Sequence, residues 1–193
     1  MREGQGCAAV PSFLLTARQQ MRIRAVKVAF LDRDGTIIRD HPDADWKHVK
    51  TPEFLEGTIE GLQKLANMGF QFIIVSNQYL IADGIITQED YGTFHAQLLE
   101  NLSHEGISIL ASYHCPHNDS AECCCKKPRP GMIELALREH PVDLCQSIYC
   151  GDSPCDSLLA RQFGLPFFGI GYQGAETDVV RCASLRDVPP LLR

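Results

Sequence analysis

Val26-Lys27-Val28-Ala29-Phe30-Leu31-Asp32-Arg33-Asp34-Gly35-Thr36 is the stretch that decides the fold. Val, Phe and Leu favour a buried strand, and Gly35 ends it. Side chains alternate along a strand, so Asp32 and Asp34 are expected on one side, with Arg33 pointing away. Two carboxylates so placed repel each other unless a cation or a substrate group lies between them. Taken alone, residues 32–36 also fit a solvated acidic turn. The rest of the chain decides between the two readings.

Outward from this junction, strand-like and helix-like segments alternate. Residues 58–68 carry Ile59, Leu62, Leu65 and Ala66 at helical spacing and stop at Gly69. An apolar strand follows over 70–75, then a helix over 87–102 opened by Thr87 and Asp90, and a strand over 107–113. A helix over 131–140, a strand over 147–150, a helix over 155–163 and a fifth strand over 167–170 complete the pattern. Repeated strand–helix units predict an α/β fold: one Rossmann-like domain, a central parallel sheet and helices on both faces. Residues 25–193 form that domain, and residues 1–24 are expected to be a poorly ordered N-terminal extension, with Met21 a candidate start. In such sheets ligands bind outside the carboxyl ends of the strands.

Composition narrows the classes. The chain has 193 residues, 45% hydrophobic and 22% charged, with a net charge of −6. That balance argues against general affinity for nucleic acid or an anionic membrane, and leaves room for a local positive site that handles small anions. No apolar run approaches the length of a membrane span. Pro11 and Glu3 spoil residues 1–20 as a signal peptide. Of nine cysteines, four (Cys115, Cys123, Cys124, Cys125) fall within residues 115–125. Clustered Cys beside His suggests metal thiolates in a reducing compartment rather than disulfides, hence the cytoplasm.

Three further strand ends or adjoining loops carry polar groups: Ser76, Lys127 and Asp152, the last followed by Asp156. Each alone reads as a cap or a solvated turn. In order, Asp-x-Asp-Gly-Thr, Ser, Lys and Gly-Asp at successive strand ends resemble the haloacid dehalogenase superfamily of phosphohydrolases. The resemblance covers about residues 25 to 190. It implies that Asp32 is a nucleophile forming an aspartyl-phosphate and Asp34 a general acid and base. It also implies that Ser76 and Lys127 stabilise the phosphoryl group. Asp32, Asp152 and the backbone carbonyl of Asp34 would hold Mg²⁺, a hard cation suited to carboxylate and phosphate oxygens. Asp156 would orient these groups.

Cys115-x-His117 and Cys123-x-Cys125 supply three thiolates and an imidazole, the donor set of a closed tetrahedral zinc site. In an extended loop Cys124 faces the other way, and it is left out, as is His114. Buried reduced thiols are the alternative. A zinc loop over 115–125 running into Lys126-Lys127-Pro128 resembles the heptose bisphosphate and histidinol-phosphate phosphatase branch, whose members have minimal caps. The expected substrate is therefore a small phosphorylated metabolite, a sugar bisphosphate before histidinol phosphate, contacted by Asn77, Gln78 and Lys126. A monomer is expected, with no nucleic-acid or membrane partner. Three positions depart from the branch pattern: Lys126 stands for Arg, Asp83 for Arg and Ser153 for Lys. They bear on substrate rather than on hydrolysis. A nucleic-acid-end phosphatase is disfavoured by the charge, and a zinc-stabilised binding module without turnover is the non-enzyme alternative. Cys145, Cys150 and Cys155 are expected in the core and His95 and His104 on or beside a helix, solvated or packed; Trp46 and His48 read first as ordinary loop residues, with the site rim as the alternative.

Overall fold

The computed structural model describes residues 25–192, so the expectation for residues 1–24 lies outside the described residues. Six parallel strands make one sheet: β1 (Val28–Leu31), β2 (Gln71–Asn77), β3 (Ile109–Cys115), β4 (Ile148–Gly151), β5 (Phe167–Ile170) and β6 (Val180–Cys182), in the order β3-β2-β1-β4-β5-β6. Four helices connect them: α1 (Thr58–Asn67), α2 (Gln88–His104), α3 (Gly131–Glu139) and α4 (Pro154–Gln162). The expected α/β architecture with one parallel sheet is what forms. β6 was not expected, because Val180-Arg181-Cys182 is three residues long and largely exposed at the sheet edge.

Alternation along β1 sorts the core into two layers. Ala29 and Leu31 face Leu62 and Leu65 of α1 and Phe94, Leu98 and Leu102 of α2. Val28 and Phe30 face Met132, Ile133 and Ala136 of α3 and Leu159 and Ala160 of α4. All four β1 side chains are fully buried, as a strand covered on both faces requires. Helix α2 starts as its sequence indicates: Thr87 Oγ1 accepts from the Asp90 N–H at 3.0 Å, and the Asp90 carboxylate accepts from the Thr87 N–H at 3.0 Å. Between β1 and α1 the only helical segment among the described residues is a 3₁₀ turn over Asp43–His48, so no cap domain is inserted at that point. No helix among the described residues is long and apolar enough to cross a membrane.

From β1 the chain moves outward through β2 and β3 on one side and through β4, β5 and β6 on the other. The strand order therefore reverses beside β1 and β4, and their carboxyl ends open a crevice. Of the cysteines expected in the core, Cys150 is buried, Cys155 is half-buried and Cys145 is exposed. Cys145 lies in a 3₁₀ turn (Leu144–Gln146) ahead of β4 rather than on a packed face, which is why its apolar character gives no burial.

Candidate active site

Asp32 follows β1 directly, and its amide donates to Cys150 O at 2.9 Å, tying it to the end of β4. Gly35, at φ 79°, turns the chain so tightly that a Cβ there would sit 2.7 Å from Asp152 Cγ. Glycine is thus required both for the backbone conformation and for the approach of Asp152. Lys127 arrives from the other side. Its backbone is clamped to the end of β2: Lys127 N donates to Asn77 Oδ1 at 2.8 Å, and Asn77 Nδ2 donates to Lys127 O at 3.2 Å. Its ammonium spends all three protons, on Asp32 Oδ1 at 2.6 Å, Asp156 Oδ1 at 2.7 Å and Val75 O at 2.9 Å.

Asp156 is fully buried and saturated. Oδ1 accepts from Lys127 and from Tyr149 Oη at 2.9 Å, while Oδ2 accepts from Ser153 Oγ at 2.5 Å and Ser153 N at 3.3 Å. With four acceptor positions filled, it has none left for a cation, although its oxygens lie within 4.8 Å of those of Asp32 and Asp152. Tyr149 escaped the sequence reading, and Ser153, read there only as a departure bearing on substrate, instead bonds Asp156. A Tyr on a buried strand needs a partner for its hydroxyl, and an Asp seven residues on was the available signal.

Burial pushes Asp32 well above the usual carboxylate range; Lys127 pulls it down, while Asp156, Asp152 and Asp34 push it further up. Asp152 is raised to about 6, by burial first and then by Asp156, against the pull of Lys127. Three carboxylates thus converge on one ammonium. This is a hard-oxygen site short of positive charge, and Asp32 and Asp152 fit a divalent cation such as Mg²⁺.

Arg33 corrects the sequence expectation. It does not point away from Asp34 but folds back onto it, with Nε donating to Oδ1 at 2.9 Å and Nη2 to Oδ2 at 3.0 Å. Strand alternation stops applying at Asp32, where the extended backbone gives way to a turn. Arg33 is 1% exposed, and its guanidinium carbon lies 5.1–5.6 Å from the ring centres of Trp46, Tyr91 and Phe94. Gln78 joins the same network. Its Nε2 donates to Asp34 Oδ2 at 2.7 Å and Ser76 Oγ at 2.8 Å, and its Oε1 accepts from Arg33 at 3.0 Å. Lys126 pairs with Asp119 at 2.7 Å and lies over the Tyr79 ring. The resulting cavity, about 210 Å³, is lined also by Asp40, Asp43, Tyr79, Trp46 and Ser153. His48 is exposed and does not line it.

Beside this crevice the loop after β3 brings Cys115, His117, Cys123 and Cys125 together, with donor atoms within 4.8 Å of one another. His117 Nδ1 lies 3.5 and 3.3 Å from the sulfurs of Cys115 and Cys125, and the Cys115 and Cys123 sulfurs are 3.7 Å apart. The Cys115 and Cys125 sulfurs are closer, at 3.0 Å. A tetrahedron with Zn–S bonds of about 2.3 Å has edges of roughly 3.8 Å, so the donor set of three thiolates and an imidazole suits zinc, and Cys115 and Cys125 would move apart to admit the ion. Cys124 stays outside, exposed, and its carbonyl accepts from the Gly131 N–H at the start of α3. His114 packs on Tyr91 instead.

A parallel α/β sheet whose carboxyl edge gathers an aspartate pair, a buried lysine and an acidic loop defines a phosphohydrolase of the haloacid dehalogenase type. A family model described as "Polynucleotide kinase 3 phosphatase" matches residues 27–165. The chain is 34% identical over 154 residues to D-glycero-alpha-D-manno-heptose-1,7-bisphosphate 7-phosphatase of Photorhabdus laumondii, covering 76% of this chain and 82% of that one. It is 35% identical over 142 residues to the histidine biosynthesis bifunctional protein HisB of Campylobacter jejuni, spanning 72% of this chain but 40% of that protein. The crystal structure of D,D-heptose 1,7-bisphosphate phosphatase from B. bronchiseptica, complexed with magnesium and phosphate, superposes with a TM-score of 0.75 at 26% identity, covering 86% of this chain and 97% of that one. The chain belongs to this family of haloacid dehalogenase phosphatases, hydrolases of phosphoric monoesters.

Proposed function

We propose that this phosphatase removes the 7-phosphate of D-glycero-D-manno-heptose 1,7-bisphosphate through an aspartyl-phosphate on Asp32. The observation that carries the reading is the Asp32–Lys127–Asp156 ion triad beside Asp34, in a chain 34% identical to a phosphatase of that name. Asp32 attacks phosphorus, and the bond to the ester oxygen breaks with its electron pair on that oxygen. Asp34 gives that oxygen a proton, then takes one from the water that cleaves the aspartyl-phosphate. The Lys127 ammonium acts through its charge, its protons being engaged, and the Ser76 hydroxyl, whose oxygen accepts from Gln78, donates its proton; both stabilise charge on the phosphoryl oxygens. Asp32, Asp152 and the Asp34 carbonyl would hold Mg²⁺, which when bound neutralises the repulsion between carboxylate and phosphate. Zinc on Cys115, His117, Cys123 and Cys125 would fasten the loop that ends two residues before Lys127. A thiolate zinc site suits a reducing compartment such as the cytoplasm.

Histidinol phosphate is a second reading, favoured by the acidic lining of the cavity. Asp40 and Asp43 line it, and the Lys126 ammonium is engaged outside it by Asp119, so the lining suits an ammonium better than a second phosphate. The test is kcat/KM on heptose bisphosphate, histidinol phosphate and a 3′-phosphorylated oligonucleotide with Mg²⁺ present. The heptose compound is expected to lead by about tenfold or more. A lead for either competitor overturns the assignment. Asp32→Asn is expected to abolish turnover of all three.

A further inference from the structure

We propose that Arg33 and Gln78 are positioning residues that hold Asp34 in one orientation and reserve its Oδ1 for the proton passed to the leaving group. The proposal rests on the roles given above to Asp32 and Asp34. An ionised carboxylate offers about four acceptor positions. Oδ2 of Asp34 fills both of its own, with Arg33 Nη2 at 3.0 Å and Gln78 Nε2 at 2.7 Å. Oδ1 accepts only from Arg33 Nε, at 2.9 Å, among the described residues. One position therefore remains, and it is on Oδ1. The Asp34 side chain is 18% exposed and lines the cavity, whereas Arg33 is 1% exposed behind it, so the open position belongs to the substrate side.

The holder is itself held. Trp46 comes from the 3₁₀ turn after β1, and Tyr91 and Phe94 come from α2, so three rings from two elements confine the guanidinium. A planar fork is needed to grip both carboxylate oxygens, which the single ammonium of Lys cannot do. Gln78 bridges Arg33 to the buried Ser76, so one side-chain amide sets the acid relative to the hydroxyl assigned above to the phosphoryl group. In the first half-reaction the ester P–O bond breaks, its electron pair goes to oxygen, and that oxygen takes the proton from Asp34 Oδ1. In the second half-reaction Oδ1 takes a proton back from water.

A merely structural arginine would slow every substrate alike, and a positioned acid does not. Esters with a strongly basic alkoxide leaving group need the proton, whereas p-nitrophenolate departs without it. The measurement is kcat/KM, with Mg²⁺, on an alkyl phosphomonoester and on p-nitrophenyl phosphate for wild type, Arg33→Lys, Gln78→Leu and the reference Asp34→Asn. Arg33→Lys is expected to lose about 100-fold on the alkyl ester and under about tenfold on the aryl ester. Gln78→Leu is expected to show the same split at about fivefold, and it carries the test if Arg33→Lys does not fold. Equal losses on both esters in the folded variants overturn the proposal. Turnover retained by Asp32→Asn overturns the nucleophile assignment instead, so the two failures are distinct.

Discussion

Replacing Lys127 with Met keeps most of the side-chain volume and removes the charge that Asp32 and Asp156 share. The ammonium lies 2.6 and 2.7 Å from the two carboxylates, and all three side chains are at most 10% exposed. At an effective dielectric of about 20 each contact is worth roughly 6 kcal/mol of attraction, set against several kcal/mol for desolvating each ion. Breaking a buried pair while leaving its partner in place therefore costs about 3–5 kcal/mol. For a chain of this size each kcal/mol moves Tm by roughly 2–4 °C, so Lys127→Met is expected to melt about 6–20 °C lower. The loss carries a pH signature. Burial already raises Asp32 against the pull of Lys127, so without the lysine it titrates higher still in the folded chain than in the unfolded one. A carboxyl raised on folding contributes stability below its unfolded pKa and loses it as pH rises through the folded value. The deficit is therefore largest near neutrality and shrinks on acidification to about pH 5. Circular dichroism melts of both proteins at the two pH values, in metal-free buffer, make the test. Lys127→Met with Asp156→Asn should recover part of the loss, since one stranded charge is gone. A fall of under about 2 °C, or one identical at both pH values, refutes the ion-triad reasoning.

Three further outcomes are expected. Cys125→Ser should lose the bound zinc measured by atomic absorption and lower Tm, and unchanged stability with zinc gone would remove the structural role of the 115–125 loop. Gly35→Ala should lose about 1–2 kcal/mol from its positive φ, yet more than about tenfold in kcat, because the new methyl displaces Asp152. Urea titration and the phosphatase assay separate the two effects. His95, whose ring nitrogens are buried without partners, is held at about 4 by burial first and then by Arg33 and His114. A His depressed on folding costs stability as pH falls below its unfolded value, about 6.5, so His95→Leu should gain roughly 1–2 kcal/mol on wild type between pH 7 and pH 5 in urea melts. A constant difference across that range would place the ring in contact with water.

Much of the molecule was legible without coordinates because its signals are local. Buried strands announce themselves as runs such as Phe30-Leu31 and Ile73-Ile74-Val75, and the helix start at Thr87 rests on residues three apart. Chain order placed Asp32, Ser76 and Asp152 at strand ends and Lys127 in the loop after β3, since a parallel sheet puts every carboxyl end on one edge. The spacing of Cys115, His117, Cys123 and Cys125 selected the four donors that come together.

What only the tertiary structure decided is where each charge goes. Alternation sent Arg33 away from Asp34, but the turn at Asp32 ends the strand geometry, and three aromatic rings, two of them from α2, press the guanidinium back onto its neighbour. Gln78 turned out to be 3% exposed, joining Arg33, Asp34 and Ser76, and Asp156 proved saturated by partners 29, 7 and 3 residues away. Such partners are chosen by burial: a charge inside must be matched by whatever the fold brings within about 3 Å, and no local pattern encodes that distance.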